Sequence, residues 1–119
     1  MKEKGDYVMN ILQRYFKAFE NYFNVSGRAS RADYWSFILV NLLITCILEF
    51  APDMVSTIYS LIVFIPVITL VIRRLHDAGR SGWWWLLVFT GIGSIYVLYL
   101  MLKPSQSGSN QYGSNPYGR

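Results

Sequence analysis

One histidine, one cysteine and seven acidic residues are all that 119 residues offer to metal, redox or acid–base chemistry. Cys46 stands alone inside an apolar run, which excludes a disulfide framework and an internal cysteine metal cluster. His76 has no second histidine and no apposed carboxylate pair with which to hold zinc. No nucleophile–base pair follows from spacing, because the serines stand where helix caps or tail residues would. The Gly-rich C-terminal stretch lacks a Walker-type lysine and a strand before it. These absences weigh against an enzyme, and neither a cofactor nor a metal is expected. Charge is scarce as well: charged residues make up 15% of the chain, against roughly 25% in an ordinary soluble domain.

Apolar sequence fills the space that charge leaves. The chain is 53% hydrophobic and 17% aromatic, and between Asp33 and Lys103 the few charges collect in short clusters. This length supports one domain at most, and the distribution fits a small polytopic membrane protein. The net charge of +4 belongs to residues flanking apolar segments, so it reads as topogenic, and no nucleic-acid partner is expected. The first 33 residues are too charged for the core of a cleavable signal, so the first span is expected to act as an uncleaved insertion signal.

The predicted architecture is all-α: an interfacial amphipathic helix followed by three transmembrane helices. Over residues 6–23, Val8, Leu12, Tyr15, Phe19 and Tyr22 recur at helical spacing opposite Gln13, Arg14, Lys17 and Glu20, with Asp6 as N-cap. That pattern predicts a helix on the membrane surface, on the other helices, or both. Span one is placed at 31–50, opened by a capping box in which Ser30 and Asp33 have the required spacing. Asn41, Thr45 and Cys46 on it are candidates for helix association, including a homo-oligomer. Span two is placed at 54–74 and opened by Pro52. Its interior Pro66 removes the hydrogen bond to the Ile62 carbonyl and kinks the helix. Span three is placed at 82–102, completing a membrane domain over 1–103. Tyr34, Trp35, Trp83, Trp84 and Trp85 are the expected interfacial anchors. Residues 104–119 repeat Gly-Ser-Asn-x-Tyr twice, have no apolar face to bury, and read as disordered or loosely docked.

The bases set an expected orientation. Lys2, Lys4, Arg14, Lys17, Arg28 and Arg31 precede span one, and Arg73, Arg74 and Arg80 follow span two; only Lys103 and Arg119 remain. Nine against two places the N-terminus in the cytoplasm and the tail outside.

Between spans two and three, Arg73-Arg74-Leu75-His76-Asp77-Ala78-Gly79-Arg80 gathers three arginines, the histidine and an aspartate. One reading is structural. Arg73 or Arg74 pairs with Asp77 along a continued helix, Gly79 ends that helix, and Ser81 caps the next. The other is functional: Arg28, Arg31, Arg73, Arg74, His76, Asp77 and Arg80 bind an anion, a lipid headgroup or a partner.

The segments Gly27-Arg28-x-x-Arg31-x-x-Tyr34-Trp35, Arg73-Arg74-Leu75-His76-Asp77 with Ser81-Gly82-Trp83-Trp84, and Asn110-x-Tyr112-Gly113 resemble the domain of unknown function 805 family. These are small bacterial inner-membrane proteins, some carried by prophages. The resemblance runs from about Phe19 to Gly118. It implies a multi-span helical protein of the inner membrane and suggests that the two arginine clusters meet in space, with Arg28 and Asp77 as a candidate pair. It supplies no reaction. The expected role is a non-enzymatic scaffold, regulatory or effector subunit working through lipid and protein contacts. A small oligomeric transporter or pore for an anionic solute is the alternative, and an enzyme on a lipid or nucleotide phosphate is a third.

Overall fold

In the computed structural model, described over residues 4–117 with side chains from Asn10 onward, helices account for almost all regular structure. Lys2 and Arg119 lie outside the described residues, as do the side chains of Asp6 and Val8. The elements are α1 (Lys4–Glu20), α2 (Arg31–Leu48), α3 (Asp53–Asp77), a 3-10 helix (Gly82–Phe89) and α4 (Gly91–Leu102). No strand occurs among the described residues, only a bridge between Asn110 and Gly113.

The capping box forms as the spacing requires. The Ser30 hydroxyl accepts from Asp33 N at 3.0 Å, and Ser30 N donates to the Asp33 carboxylate at 3.1 Å. From there α2 runs about 27 Å for its 18 residues, and α3 returns over 25 residues, about 37 Å, enough for a roughly 30 Å hydrocarbon core. Both are apolar enough to span, yet only 17% and 22% of their most apolar windows are buried. A core helix of a soluble protein would hide most of that surface; here Leu42, Leu43, Ile47, Leu61 and Phe64 face outward. Asn41 accepts from the Tyr59 hydroxyl at 2.8 Å and so ties α2 to α3.

α1 packs across this pair. Tyr15 and Ala18 are buried, Tyr15 stacks on Phe37 at 5.1 Å, and its hydroxyl meets that of Tyr59 at 3.0 Å. Phe16 and Phe23 remain exposed. Pro66 stands inside α3, and the Ile62 carbonyl that it deprives of a helical donor receives the Tyr22 hydroxyl at 2.8 Å. Thr69 answers in the other direction, donating to the Tyr22 carbonyl at 3.2 Å.

The third apolar stretch departs from expectation. Residues 82–102 do not make one helix. The 3-10 helix ends at Thr90, whose backbone is extended, and α4 begins anew at Gly91. Thr90 drives the break: its hydroxyl donates to the Leu87 carbonyl at 2.9 Å and accepts from Gly93 N at 3.1 Å. A side chain at residue 93 would run into Thr90 Oγ1 and the Leu87 carbonyl, so this turn requires glycine there. The two arms pack on each other, with Trp84 against Tyr96 at 5.6 Å. At about 16 and 18 Å they are each roughly half as long as a span. The segment begins beside Ile72 and His76 and ends with the Lys103 carbonyl on Arg74. It therefore leaves and re-enters the same end of the molecule.

Candidate functional site

That end carries the arginine motif. α3 continues through Asp77, as the structural reading required, and Gly79 at φ +81° turns the chain while Arg80 N closes on the Leu75 carbonyl at 2.8 Å. Ser81 then accepts from Trp83 N at 3.3 Å. The loop before α2 reaches the same place through Ala29 N, which donates to the Arg73 carbonyl at 2.9 Å.

Asp77 is the centre. Fully buried, it accepts from Arg28 Nε at 3.0 Å, Arg74 Nη1 at 2.9 Å and the Ser105 hydroxyl at 2.6 Å. Both guanidiniums are buried with it. Two cations on one carboxylate leave a surplus positive charge, which the C-terminal chain meets with carbonyl oxygens. Arg28 donates to the carbonyls of Gln106, Gly108 and Gly113 at 2.5, 2.7 and 3.2 Å. Arg74 donates to the Met101 and Lys103 carbonyls.

Over residues 104–117 the tail is therefore docked by specific bonds, not disordered or loosely docked. Its repeat is a pair of turns that share one side-chain bond. Asn110 Oδ1 accepts from Tyr112 N at 2.8 Å, and Asn115 Oδ1 accepts from Tyr117 N at 2.7 Å. Each amide then ties its turn down, Asn110 to the His76 carbonyl at 2.9 Å and Asn115 to the Gln106 carbonyl at 3.0 Å. Arg28 takes the carbonyl of the glycine that opens each copy. Tyr112 lies flat on the His76 ring, 3.9 Å away and within 2° of parallel. An Asn two residues before a Tyr, twice over, was the signal available in the sequence. Lack of an apolar face concealed it, because polar bonds to buried arginines hold this segment.

The remaining candidates disperse. Arg73 forms no ion pair with Asp77 and is 4% exposed; Nε and Nη2 lack any hydrogen-bond partner, and the carboxylate that attracts it is Asp33. Arg80 reaches the Tyr96 hydroxyl at 3.0 Å and lies over the Trp84 ring. Arg31 is exposed and donates to the Leu102 carbonyl at 3.0 Å. His76 Nδ1 meets the Gly27 carbonyl at 2.9 Å. Among the proposed anchors, Trp35 donates to the Met101 carbonyl at 3.0 Å and sits edge-on to Tyr34, Trp84 and Trp85 are half-buried, and Trp83 is exposed. A second charged centre went unread: buried Asp33 takes Arg14 at 2.5 Å and Lys17 at 3.3 Å, binding α1 to the start of α2. Nothing in local spacing pairs residues that far apart. Among the described residues, no group of three or more histidines, cysteines or acids could hold a metal.

The orphaned nitrogens of Arg73 lead to a prediction. Burying unpaired donors costs about 1–3 kcal/mol, so Arg73→Met should hold or raise stability by up to that amount. Unfolding of the purified protein in detergent measures it. A loss above about 1 kcal/mol would mean that attraction to the Asp33 carboxylate outweighs the cost of the unpaired donors.

Comparison with known proteins places the chain. Residues 22–114 match the family described as "Protein of unknown function (DUF805)". The Inner membrane protein YhaI of Escherichia coli (strain K12) is 40% identical over 113 residues, covering 88% of this chain and 96% of the relative. The Inner membrane protein YhaH of the same strain is 36% identical over 114 residues, covering 86% and 94%. No solved structure matches it.

Proposed function

The chain belongs to the DUF805 family, and from that premise we propose that this helical membrane protein is a non-enzymatic scaffold, regulatory or effector subunit of the inner membrane. It works through lipid-headgroup and protein contacts on an arginine-rich cytoplasmic face. In this reading α2 and α3 cross the bilayer, residues 82–102 dip in and return, and α1 lies at the cytoplasmic boundary. The bases before α2 and after α3 then share one side with the tail, in keeping with the positive-inside rule. This revises the expected exterior tail, since Arg28 could not hold Gly108 and Gly113 across a membrane.

The charged cluster favours structure over turnover. Asp77 spends both carboxylate oxygens on Arg28, Arg74 and Ser105, and carbonyls take Nη1 and Nη2 of Arg28 and Nη2 of Arg74, leaving only Arg74 Nε unpartnered. What stays open is Arg31. It borders a cavity of about 510 Å³ lined by Pro104, Ser105, Ser107, Asn115 and Tyr117. An adjoining cavity of about 460 Å³ runs from Arg31 along Trp35 and Leu102. A cation beside hydroxyls, continuous with an apolar wall, suits the phosphate and first acyl carbons of an anionic phospholipid. This opening at Arg31 carries the reading.

The test is lipid retention in mixed phosphatidylglycerol–phosphatidylcholine nanodiscs, read by native mass spectrometry. The wild-type chain should hold phosphatidylglycerol preferentially, and Arg31→Gln should lower that preference by about fivefold. Equal retention of the two lipids by the wild-type chain would overturn the headgroup site.

A further inference from the structure

A third cavity, bordered by His76 of the motif, has a different chemistry. It measures about 500 Å³, within the usual range for a small-molecule site. Its walls are apolar, formed by Ile68, Ile72, Trp83 and Trp85, and its polar end is made by His76 and Ser81. Gly82 keeps it open at that end: a Cβ there would stand 2.6 Å from the Ile72 side chain and 3.5 Å from His76 Nε2.

The hydrogen-bond inventory of the polar end defines what fits. A carbonyl oxygen can only accept, so the 2.9 Å contact with Gly27 places the imidazole proton on Nδ1. Nε2 of the neutral ring then carries a lone pair, and it has no partner among the described residues although His76 is 8% exposed. The stacked Tyr112 and the Gly27 bond hold the ring so that it cannot turn to another partner. Ser81 Oγ accepts from Trp83 N, which leaves its own proton without an acceptor among the described residues. His76 and Ser81 thus offer one acceptor and one donor, in an otherwise largely apolar chamber that Tyr112 and the indoles of Trp83 and Trp85 also line.

A hydroxyl group matches this pair: it donates to His76 Nε2 and accepts from Ser81 Oγ–H. A phosphate does not, because a full anion would face the lone pair of Nε2. A ketone or ether leaves Nε2 unmet. We propose that the His76–Ser81 cavity binds an amphiphile with a single hydroxyl head and an apolar chain, a long-chain or isoprenoid alcohol or phenol. The head sits at the level of the arginine motif, and the chain runs between α3 and the tryptophans. This site is separate from the Arg31 opening and stands without it.

The experiment uses the full chain in phosphatidylcholine nanodiscs with three probes: farnesol, farnesyl methyl ether and farnesyl phosphate. Tryptophan emission follows binding, and native mass spectrometry counts bound probe. Farnesol should bind at one per chain, about tenfold more tightly than the ether, with the phosphate weaker than the alcohol. Ile68→Trp, which fills the apolar wall without touching the polar end, should abolish retention. His76→Asn keeps a donor for Gly27 and loses the Nε2 lone pair, so it should erase the preference for alcohol over ether. Equal affinity for farnesol and its ether, tighter binding of the phosphate, or unchanged retention by Ile68→Trp would each overturn the proposal. Should His76→Asn not fold, the wild-type comparison and Ile68→Trp decide alone.

Discussion

Asp77→Asn should destabilise the protein by about 3–5 kcal/mol, the cost of leaving buried charge uncompensated. The substitution preserves shape, so the loss is electrostatic. Arg28 and Arg74 are both shut off from water and share this one carboxylate. Neither has another anion within the cluster, and the tail carbonyls that complete them are dipoles, not charges. Unfolding in detergent gives the magnitude. Limited proteolysis gives the locus, because cleavage should begin between Ser105 and Tyr117, where the backbone depends on Arg28 and on the Asp77 carbonyl. Ser105→Ala, which removes one neutral donor, should cost only about 1 kcal/mol. A loss below about 1 kcal/mol for Asp77→Asn with a protected tail would refute the central role of this carboxylate.

The second prediction is all-or-none. A fluorescent reporter fused after the tail should be active with the tail in the cytoplasm, and an alkaline phosphatase fused there should be silent. A reporter placed in the turn between α2 and α3 should show the reverse. The physical basis is the path of residues 82–102, which begins against Ile72 and His76 and finishes with Gln106 N on the Asp77 carbonyl at 2.9 Å. Active phosphatase after the tail would mean that residues 82–102 cross the membrane.

What the sequence made legible was local. The Ser30–Asp33 capping box, the three-residue spacing of Arg74 and Asp77, the Gly79 stop and the Ser81 cap depend on neighbours within a turn, and all form. The carbonyl freed by Pro66 was legible too; its donor, Tyr22, forty residues earlier, was not. The hairpin was hidden by its own apolarity. A run of 20 or so apolar residues satisfies the length criterion for a span whether it goes straight or doubles back. Only Thr90 and Gly93 distinguish the two, through a side-chain bond and a close approach that become visible in three dimensions. The tail was misread for the opposite reason. Its order comes from satisfying buried guanidiniums, a demand created elsewhere in the chain.

The bond from Tyr22 to the Ile62 carbonyl makes the backbone of α3 depend on a side chain forty residues earlier. In the proposed arrangement α3 carries a gap in its ladder at Pro66 into the bilayer, where hydrocarbon has no water with which to fill it. The hydroxyl that fills it follows α1, so the Ile62 carbonyl is satisfied only with the segment after α1 packed against α3.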